Sequence, residues 1–355
     1  MTAVHVVLPA GIDDPARPSG GNAYDRHVCR GLAATGWSVH EHAVAGSWPR
    51  PDAASFAALT AVVEQIPDGA LVLLDGLVAS AAPEVLTPQA NRLRLVVVVH
   101  MPFGDETADD AAADAAARER AVLHGAAAVV ATSDWTRRRL LDLYALPADR
   151  IHVAEPGVDE ADLAPGTPAG GALLCVAAVI ARKGQDLLLD ALATLTDLSW
   201  ECVCVGNLDR DPAFVAALRR RAAEIGLSGR VVFAGPRTGL DLDRSYAGSD
   251  LLVLASRAEP YGMVVTEALS RGLPVVAAEV GGVPEALGHG ADGARPGLLV
   301  SPGDASALAA ALRAWLGDAD LRGRLRRAAR ERRATLAGWS TTTAVLAGVL
   351  QAAAR

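Results

Sequence analysis

The sequence predicts an α/β protein with two tandem Rossmann-like domains, each built on a parallel sheet. Its 355 residues suit two domains. Short apolar runs recur along the chain with room for a helix between them, which is typical of parallel strands joined by helical crossovers. The composition, 51% hydrophobic but only 4% aromatic, indicates globular domains with a largely aliphatic core.

In the first half, five apolar runs predict the strands of one sheet. They are VHVVLP, WSVHEHAV, ALVLLDG, LRLVVVVH and AAAVVATS. A helix is expected after the first strand, over about 22–35, and the alanine-rich stretch 108–128 has helical charge spacing. These elements assign residues 1–165 to an N-terminal Rossmann-like domain.

The second half starts the same pattern again. Its predicted strands are ALLCVAAV, WECVCVG, RVVFAG, DLLVLAS, LPVVAA and PGLLV, and helical stretches such as DLLLDALATL separate them. The Pro- and Gly-dense segment 164–171 predicts a hinge, so the second domain is assigned to residues 171–337. Two or three helices follow residue 303, and the last, about 338–355, is expected to pack back on the first domain.

Charge and composition exclude several classes of partner. The net charge of −8 divides into −10 over residues 1–165 and +2 over the rest. Nucleic acids and anionic membranes attract basic surfaces, so the acidic first half argues against both as partners. The N-terminus has no basic segment before Asp13, and no apolar run reaches about 18 residues, so we expect a cytoplasmic protein. The four cysteines lack C-x-x-C spacing and are expected to be buried thiols.

The segment 250–287 carries the most chemical information. A buried strand ending at Ser256 precedes a loop with Glu259 and a helix that begins near Tyr261. A helix N-terminus at the carboxyl edge of a parallel sheet binds phosphate well. Glu267 lies about 1.5 helical turns further on, too far for that phosphate but suitably placed for an attached ribose. The alternative is that Glu259 only complements the helix dipole and Glu267 is a solvated helix residue.

The pattern E-P-Y-G-M-V-V-T-E, followed by G-L-P-V-V and G-G-V-P-E, resembles the retaining glycosyltransferases of family 4, group 1. That family has the two-Rossmann GT-B fold, with two parallel sheets facing a cleft, and its signature is two glutamates separated by seven residues. The resemblance implies that Glu267 binds the ribose and that Glu259 binds hydroxyls of the donor sugar. The donor diphosphate would bind at the helix start, formed by Tyr261, Gly262, Met263 and Val264.

A basic pair, Arg182 and Lys183, follows the first strand of the second half. It resembles the family's cations that neutralise the leaving diphosphate, and Lys183 is the only lysine in the chain. Where the family usually has an arginine just after this strand, this sequence has Ala178, so Arg182 is the candidate to compensate. The alternative is that both residues are exposed loop charges.

Two features of the first half also resemble the family. Gly20 and Gly21 open the first helix, where glycine allows backbone amides to approach an anion, as in the family's loop facing the donor phosphates. A plain turn with Asn22 as helix N-cap explains them equally well. His100 ends the fourth strand, and the resemblance places it beside the donor sugar and the reacting centre. A hydrogen-bonded structural histidine is the alternative.

No cofactor is predicted beyond a nucleotide-diphosphate sugar as co-substrate, and no metal. The two D-x-D sequences, 241–243 and 318–320, lie in polar segments, and no His/Cys set has ligand spacing. The G-x-G-x-x-G at 288–293 lies in a loop with no helix after it, so it fails as a dinucleotide site.

The resemblance implies metal-independent transfer of a sugar, with retention, from a nucleotide-sugar donor to a small-molecule or glycan acceptor. His100, Lys183 and Glu259 are the catalytic candidates. An epimerase of the same fold remains an alternative, as does a non-catalytic nucleotide-sugar-binding subunit, which the missing arginine at Ala178 favours. The sequence leaves the base, sugar, acceptor and oligomeric state open.

Overall fold

The computed structural model describes residues 2–105 and 110–355, which form two compact units. Of these residues, the first unit contains 2–13, 20–105, 110–157 and 337–355, and the second unit contains 14–19 and 158–336. Each unit is built on one parallel sheet of six strands.

The first sheet has the strand order β2-β1-β3-β4-β5-β6. Its strands are β1 (Ala3–Pro9), β2 (Ser38–Val44), β3 (Leu71–Asp75), β4 (Arg94–Val99), β5 (Ala128–Ala131) and β6 (Ile151–Val153). The helices of this unit are α1 (Gly20–Ala34), α2 (Ala53–Glu64), α3 (Gly76–Ala79), α4 (Pro83–Leu86), α5 (Asp110–Gly125), α6 (Asp134–Tyr144) and the final helix, here α14 (Trp339–Ala353). The predicted helix over 108–128 is therefore present as α5, and residues 108–109 lie outside the described residues.

The second sheet has the strand order β12-β11-β10-β7-β8-β9. Its strands are β7 (Ala172–Val176), β8 (Glu201–Val205), β9 (Val231–Gly235), β10 (Leu251–Leu254), β11 (Val275–Ala278) and β12 (Gly297–Val300). Its helices are α7 (Gln185–Ala193), α8 (Pro212–Glu224), α9 (Gly239–Ala247), α10 (Met263–Ser270), α11 (Val283–Leu287), α12 (Ala305–Gly317) and α13 (Ala319–Arg333).

The apolar runs form strands because helices cover both faces of each sheet. The strand residues Leu251–Leu254 are buried on both faces, with one apolar cluster on each side of the second sheet. All four cysteines are buried free thiols, as the sequence predicted. Within the described residues, no helix is both long enough and apolar enough to cross a bilayer.

Hydrogen bonds explain where the chain passes between the units. The segment expected to be a hinge belongs to the second unit, because Ala164 donates to the Arg271 carbonyl and Thr167 donates from both its amide and its hydroxyl to Asp250. The final helix belongs to the first unit, where the Thr342 hydroxyl donates to the Glu155 carbonyl at 2.7 Å.

Some local predictions were wrong. Helix α1 already begins at Gly20, so Asn22 lies inside the helix and is not its N-cap. Strand β10 ends at Leu254, two residues before Ser256, and the next helix starts at Met263. The intervening loop is therefore longer than the sequence suggested, which gives Glu259 room to turn toward neighbouring loops.

Candidate active site

The first part of the candidate site lies at the carboxyl edge of the second sheet. The loop after β10 leads into α10, with Gly262 as N-cap in a left-handed conformation (φ 93°). The first amides of a helix, here those of Met263 and Val264, have no carbonyl partner within the helix. Together with the helix dipole they form a site suited to an anion.

Lys183 and Glu259 form an ion pair beside this helix start. The Lys183 Nζ lies 2.5 Å from Glu259 Oε2, and the side chains are only 16% and 11% exposed. The Ser256 hydroxyl donates to the same carboxylate oxygen at 3.3 Å. The loop after β7 is held against the loop after β10 because Arg257 donates from its backbone amide to the Arg182 carbonyl and from its guanidinium to the Ala181 carbonyl.

The G-G-V-P-E motif supports the loop that carries Glu259. A Cβ at Gly281, which has φ +55°, would lie 1.9 Å from the Glu259 carbonyl oxygen. The Gly282 amide donates to that same carbonyl at 3.0 Å. Glycine at these two positions therefore allows the backbone after β11 to pack directly under the Glu259 loop.

Glu267 lies on α10 in a hydrogen-bonded pair. The Tyr246 hydroxyl, on α9, donates to Glu267 Oε2 at 2.7 Å, and the Arg271 guanidinium lies over the Tyr246 ring, 4.6 Å from its centroid. Burial raises the pKa of Glu267, while the Tyr246 hydrogen bond and the Arg271 charge act in the opposite direction. The Glu267 carboxylate is therefore fixed by its hydrogen bond with Tyr246, and Glu267 is not a solvated helix residue.

Other predicted positions of the second unit have different surroundings. The Tyr261 side chain is buried in an apolar cluster. Arg182 is half-buried in the short turn Ala181–Lys183. The Ala178 carbonyl accepts a hydrogen bond from Gln185 Nε2 at 3.0 Å. The segment 288–293 leads into strand β12, which agrees with its rejection as a dinucleotide site.

Both D-x-D sequences have structural partners. Asp243, in the first, forms an ion pair with Arg271. Asp318, in the second, caps α13 by accepting from the Leu321 amide at 2.9 Å.

In the first unit, His100 follows β4 and lies against the first turn of α1. A Cβ at Gly21 would lie 3.2 Å from the His100 ring, so glycine allows this close approach, while Gly20 is an exposed residue at the helix start. His100 Nε2 lies 3.0 Å from Asp25 Oδ1. Burial disfavours the charged ring, but the charge and hydrogen bond of Asp25, together with the charge of Asp75, outweigh burial and raise the pKa of His100 to about 9.

Asp25 and Asp75 also belong to this site and were not predicted from the sequence. Asp25 is buried on α1, and Asp75 ends β3, the strand next to β4 in the sheet. Asp75 also caps α3 by accepting from the Leu77 amide at 2.8 Å. A signal was available, because Asp75 and His100 both follow buried parallel strands, and such strand ends meet at one edge of the sheet.

Among the described side chains, those of residues 2–105 and 113–355, Asp25, Asp75 and His100 are the one group of three or more His, Cys, Asp or Glu residues placed to hold a metal ion. Their potential ligand atoms all lie within 4.8 Å of one another. Oxygens of this group already accept hydrogen bonds, from His100 to Asp25 and from the Leu77 amide to Asp75. A metal ion would have to displace these bonds, so we describe the group as a hydrogen-bonded cluster.

Two models of known protein families match the chain. A family model described as glycosyl transferases group 1 matches residues 170–332, and a second, described as glycosyltransferase family 4, matches residues 18–162. The two matches include all the candidate residues named above.

Individual relatives were also found. The chain is 32% identical over 249 residues to a D-inositol 3-phosphate glycosyltransferase of Jonesia denitrificans, covering 64% of this chain and 58% of that protein. It is 30% identical over 230 residues to a mannosylfructose-phosphate synthase of Agrobacterium fabrum, covering 60% of this chain and 50% of that protein. The chain thus spans little more than half the length of these curated relatives.

Solved structures share the whole fold. Anabaena Alr3699/HepE in complex with UDP and glucose matches with a TM-score of 0.80 at 20% identity, over 99% of this chain and 100% of that chain. Sucrose-phosphate synthase from Thermosynechococcus elongatus matches with a TM-score of 0.78 at 23% identity, over 99% of both chains. The chain therefore belongs to the family 4, group 1 glycosyltransferases and has the two-Rossmann GT-B fold that its sequence predicted.

Proposed function

We propose that this protein transfers a sugar from a nucleotide-diphosphate sugar to an acceptor hydroxyl, with retention of anomeric configuration and without a metal ion. The observation that carries the proposal is the largely buried Lys183–Glu259 pair beside the start of α10. On the same helix, one turn further along, Glu267 is fixed by its hydrogen bond with Tyr246. The names of the relatives, which are glycosyltransferases and sugar-phosphate synthases, support the same reaction class.

In this proposal the second unit binds the donor. Lys183, with Arg182 in support, and the first amides of α10 neutralise the diphosphate, and Glu267 accepts hydrogen bonds from the ribose hydroxyls. Each charged hydrogen bond contributes on the order of 1.5–3 kcal/mol. Removing Lys183 should therefore reduce turnover roughly ten- to a hundredfold.

The reaction proceeds on one face of the sugar. The bond between the anomeric carbon and the diphosphate oxygen breaks, the acceptor oxygen forms the new bond from the same face, and the acceptor proton passes to the departing diphosphate oxygen. Lys183 stabilises the negative charge that grows on the diphosphate. Glu259 exchanges its lysine partner for hydroxyls of the donor sugar, which orients the sugar for transfer.

We assign acceptor binding to the first unit. The relatives named above include an enzyme named for inositol 3-phosphate and a synthase of a phosphorylated disaccharide. Small polyols and hexoses, with and without a phosphate, are therefore the first acceptors to test. The acidic charge of residues 1–165 argues against an anionic lipid acceptor.

Calorimetric titration with EDTA present tests the donor site. UDP, GDP, ADP, dTDP and NAD are titrated into the wild type, Lys183→Ala and Arg313→Ala, whose exposed ion pair with Asp197 lies in the same unit. We expect one nucleoside diphosphate to bind, more weakly to Lys183→Ala and unchanged to Arg313→Ala. Binding of NAD alone, or equal affinity in all three proteins, would contradict the donor site.

A transfer assay with the matching sugar nucleotide tests the reaction. We expect diphosphate release only with an acceptor, the same rate with EDTA, and a product whose NMR coupling constants show the anomeric configuration of the donor. Conversion of the donor without an acceptor would favour an epimerase. Donor binding without diphosphate release for any acceptor would favour a non-catalytic subunit, and an inverted product would refute retention.

A further inference from the structure

The cluster of Asp25, Asp75 and His100 in the first unit holds two carboxyl groups in a small buried space. Asp25 is 5% exposed and Asp75 is 4% exposed, and their oxygens lie within 4.8 Å of each other and of the His100 ring nitrogen. Two carboxylates at this distance cannot both be ionised without a large electrostatic cost. Burial and the Asp25 charge accordingly raise the pKa of Asp75 to about 7.

One oxygen of the cluster lacks a partner. Asp25 Oδ1 faces His100, but Asp25 Oδ2 is buried and accepts no hydrogen bond from the described residues. A protonated Asp75 carboxyl group supplies the missing donor. At or below about pH 7, one proton shared between the two carboxyl groups would therefore satisfy Asp25 Oδ2 and remove the repulsion between them.

The position of His100 determines which of its nitrogens is available. Nε2 is occupied by Asp25, whereas Nδ1 has no hydrogen-bond partner among the described residues, and the side chain is 21% exposed. The other titratable group against the ring is Tyr24, whose ring edge faces His100 with centroids 5.2 Å apart. Burial raises the pKa of Tyr24, so the phenol remains neutral, and its hydroxyl donates to the Ala154 carbonyl.

We propose that Asp25 and Asp75 are positioning residues that share one proton and hold His100 doubly protonated, so that its Nδ1–H is a hydrogen-bond donor to a substrate oxygen. In this state His100 has no lone pair and cannot act as a general base. The hydrogen bond from His100 to a substrate rests on the proposed function, whereas the protonation state of the cluster does not.

Nitrogen NMR of the full chain tests the cluster without any activity. His100 is assigned with His100→Gln, and its ring nitrogens are followed at pH 7.5 in the wild type, Asp25→Asn and Asp75→Asn. The control is Asp13→Asn, which removes an exposed carboxylate paired with Arg26. We expect a doubly protonated His100 in the wild type and the control, and a neutral ring in Asp25→Asn.

The Asp75→Asn variant makes the test specific. Its amide group can donate to Asp25 Oδ2, as a protonated carboxyl group does, and keeps an oxygen for the Leu77 amide. We expect this variant to resemble the wild type. A doubly protonated His100 in Asp25→Asn, or a neutral one in Asp75→Asn, would overturn the proposal. So would stoichiometric binding of added Zn²⁺ or Mn²⁺ that is lost in Asp25→Asn.

The dependence of transfer on pH tests the substrate role. We expect kcat of Asp25→Asn to fall at least tenfold at pH 8 and to recover toward the wild-type value near pH 6, where the ring regains its proton, with little change in donor KM. A merely structural role would lower kcat equally at both pH values, and that result would refute the assignment. If the wild type transfers no sugar at all, the proposed function fails, while the NMR experiment still decides the state of the cluster.

Discussion

The hydrogen bond between Tyr246 and Glu267 offers a direct test of the donor site. Tyr246→Phe removes one hydroxyl and keeps the ring, so Arg271 can still lie over its face. The partly buried Glu267 carboxylate then loses a hydrogen bond worth about 1.5–3 kcal/mol. If Glu267 binds the ribose, part of this loss should appear as weaker nucleotide binding, with Kd raised about tenfold, or 1.4 kcal/mol.

The effect should depend on pH. Burial already raises the pKa of Glu267, and the Tyr246 hydroxyl opposes that shift by stabilising the carboxylate. Without the hydroxyl the pKa rises further, so a smaller fraction of Glu267 is ionised as the pH falls. We therefore expect the loss of affinity to be larger at pH 6 than at pH 8, measured by calorimetry with the nucleoside diphosphate that the wild type binds.

Tyr144→Phe provides a matched control. Tyr144 is also a buried tyrosine whose hydroxyl donates to a buried glutamate, Glu119 Oε2, but it lies in the first unit. Both variants should lose stability, and only Tyr246→Phe should lose nucleotide affinity. Unchanged affinity in Tyr246→Phe at both pH values, or an equal loss in Tyr144→Phe, would refute the role assigned to Glu267.

Three further predictions concern stability and the support of the site. Asp250→Ala removes a fully buried carboxylate paired with Arg326 and should lower the free energy of unfolding by about 3–5 kcal/mol in urea titrations. A loss below about 1 kcal/mol would show that Asp250 does not hold Arg326 and the segment around Thr167 in place. Gly281→Ala forces a Cβ against the Glu259 carbonyl and should weaken nucleotide binding at least tenfold, while circular dichroism shows an intact fold. Normal nucleotide binding would show that the packing of Gly281 under the Glu259 loop is not needed for the site. Folding raises the pKa of His100 from 6.5 to about 9, so the protonated ring stabilises the folded state. This contribution to the free energy of unfolding, at most about 3 kcal/mol, is complete below pH 6.5 and is lost as the pH rises through 9. The stability difference between wild type and His100→Gln should accordingly shrink between pH 6 and pH 9.5, and a constant difference would contradict it.

The strands were the most predictable part of this protein. Every apolar run assigned to a strand is a strand in the structure. Parallel strands covered by helices on both faces need continuous apolar sequence, as in VVVV of β4 and LLVL of β10, and such runs are visible without an alignment. The ends of elements were less predictable, as at Asn22, because both Ser19 and Asn22 are residue types that cap helices and the helix begins after the first of them.

The partners of the site residues could not be predicted from spacing. Lys183 and Glu259 are 76 residues apart in sequence, and His100 and Asp25 are 75 apart. The sequence indicates that Lys183, Glu259 and His100 follow strands. Asp25 lies on the first helix. Which strand ends and helices are neighbours depends on the strand order of the sheet. The position of Asp75 at the end of a buried strand was visible in the sequence, but the sequence alone did not place that strand, β3, beside β4.

The ion pair of Lys183 and Glu259 has a consequence for how the proposed donor is selected. Both side chains are largely buried, so each satisfies the other when no ligand is bound. A diphosphate that takes Lys183 leaves the Glu259 carboxylate in a poorly solvated place with only the Ser256 hydroxyl as partner, which is costly. A complete nucleotide sugar brings hydroxyl donors to the same carboxylate and removes that cost. Because Glu259 and Lys183 exchange each other for groups of the ligand, the site binds the intact nucleotide sugar more tightly than the diphosphate product. Re-formation of the Lys183–Glu259 ion pair then assists release of the product.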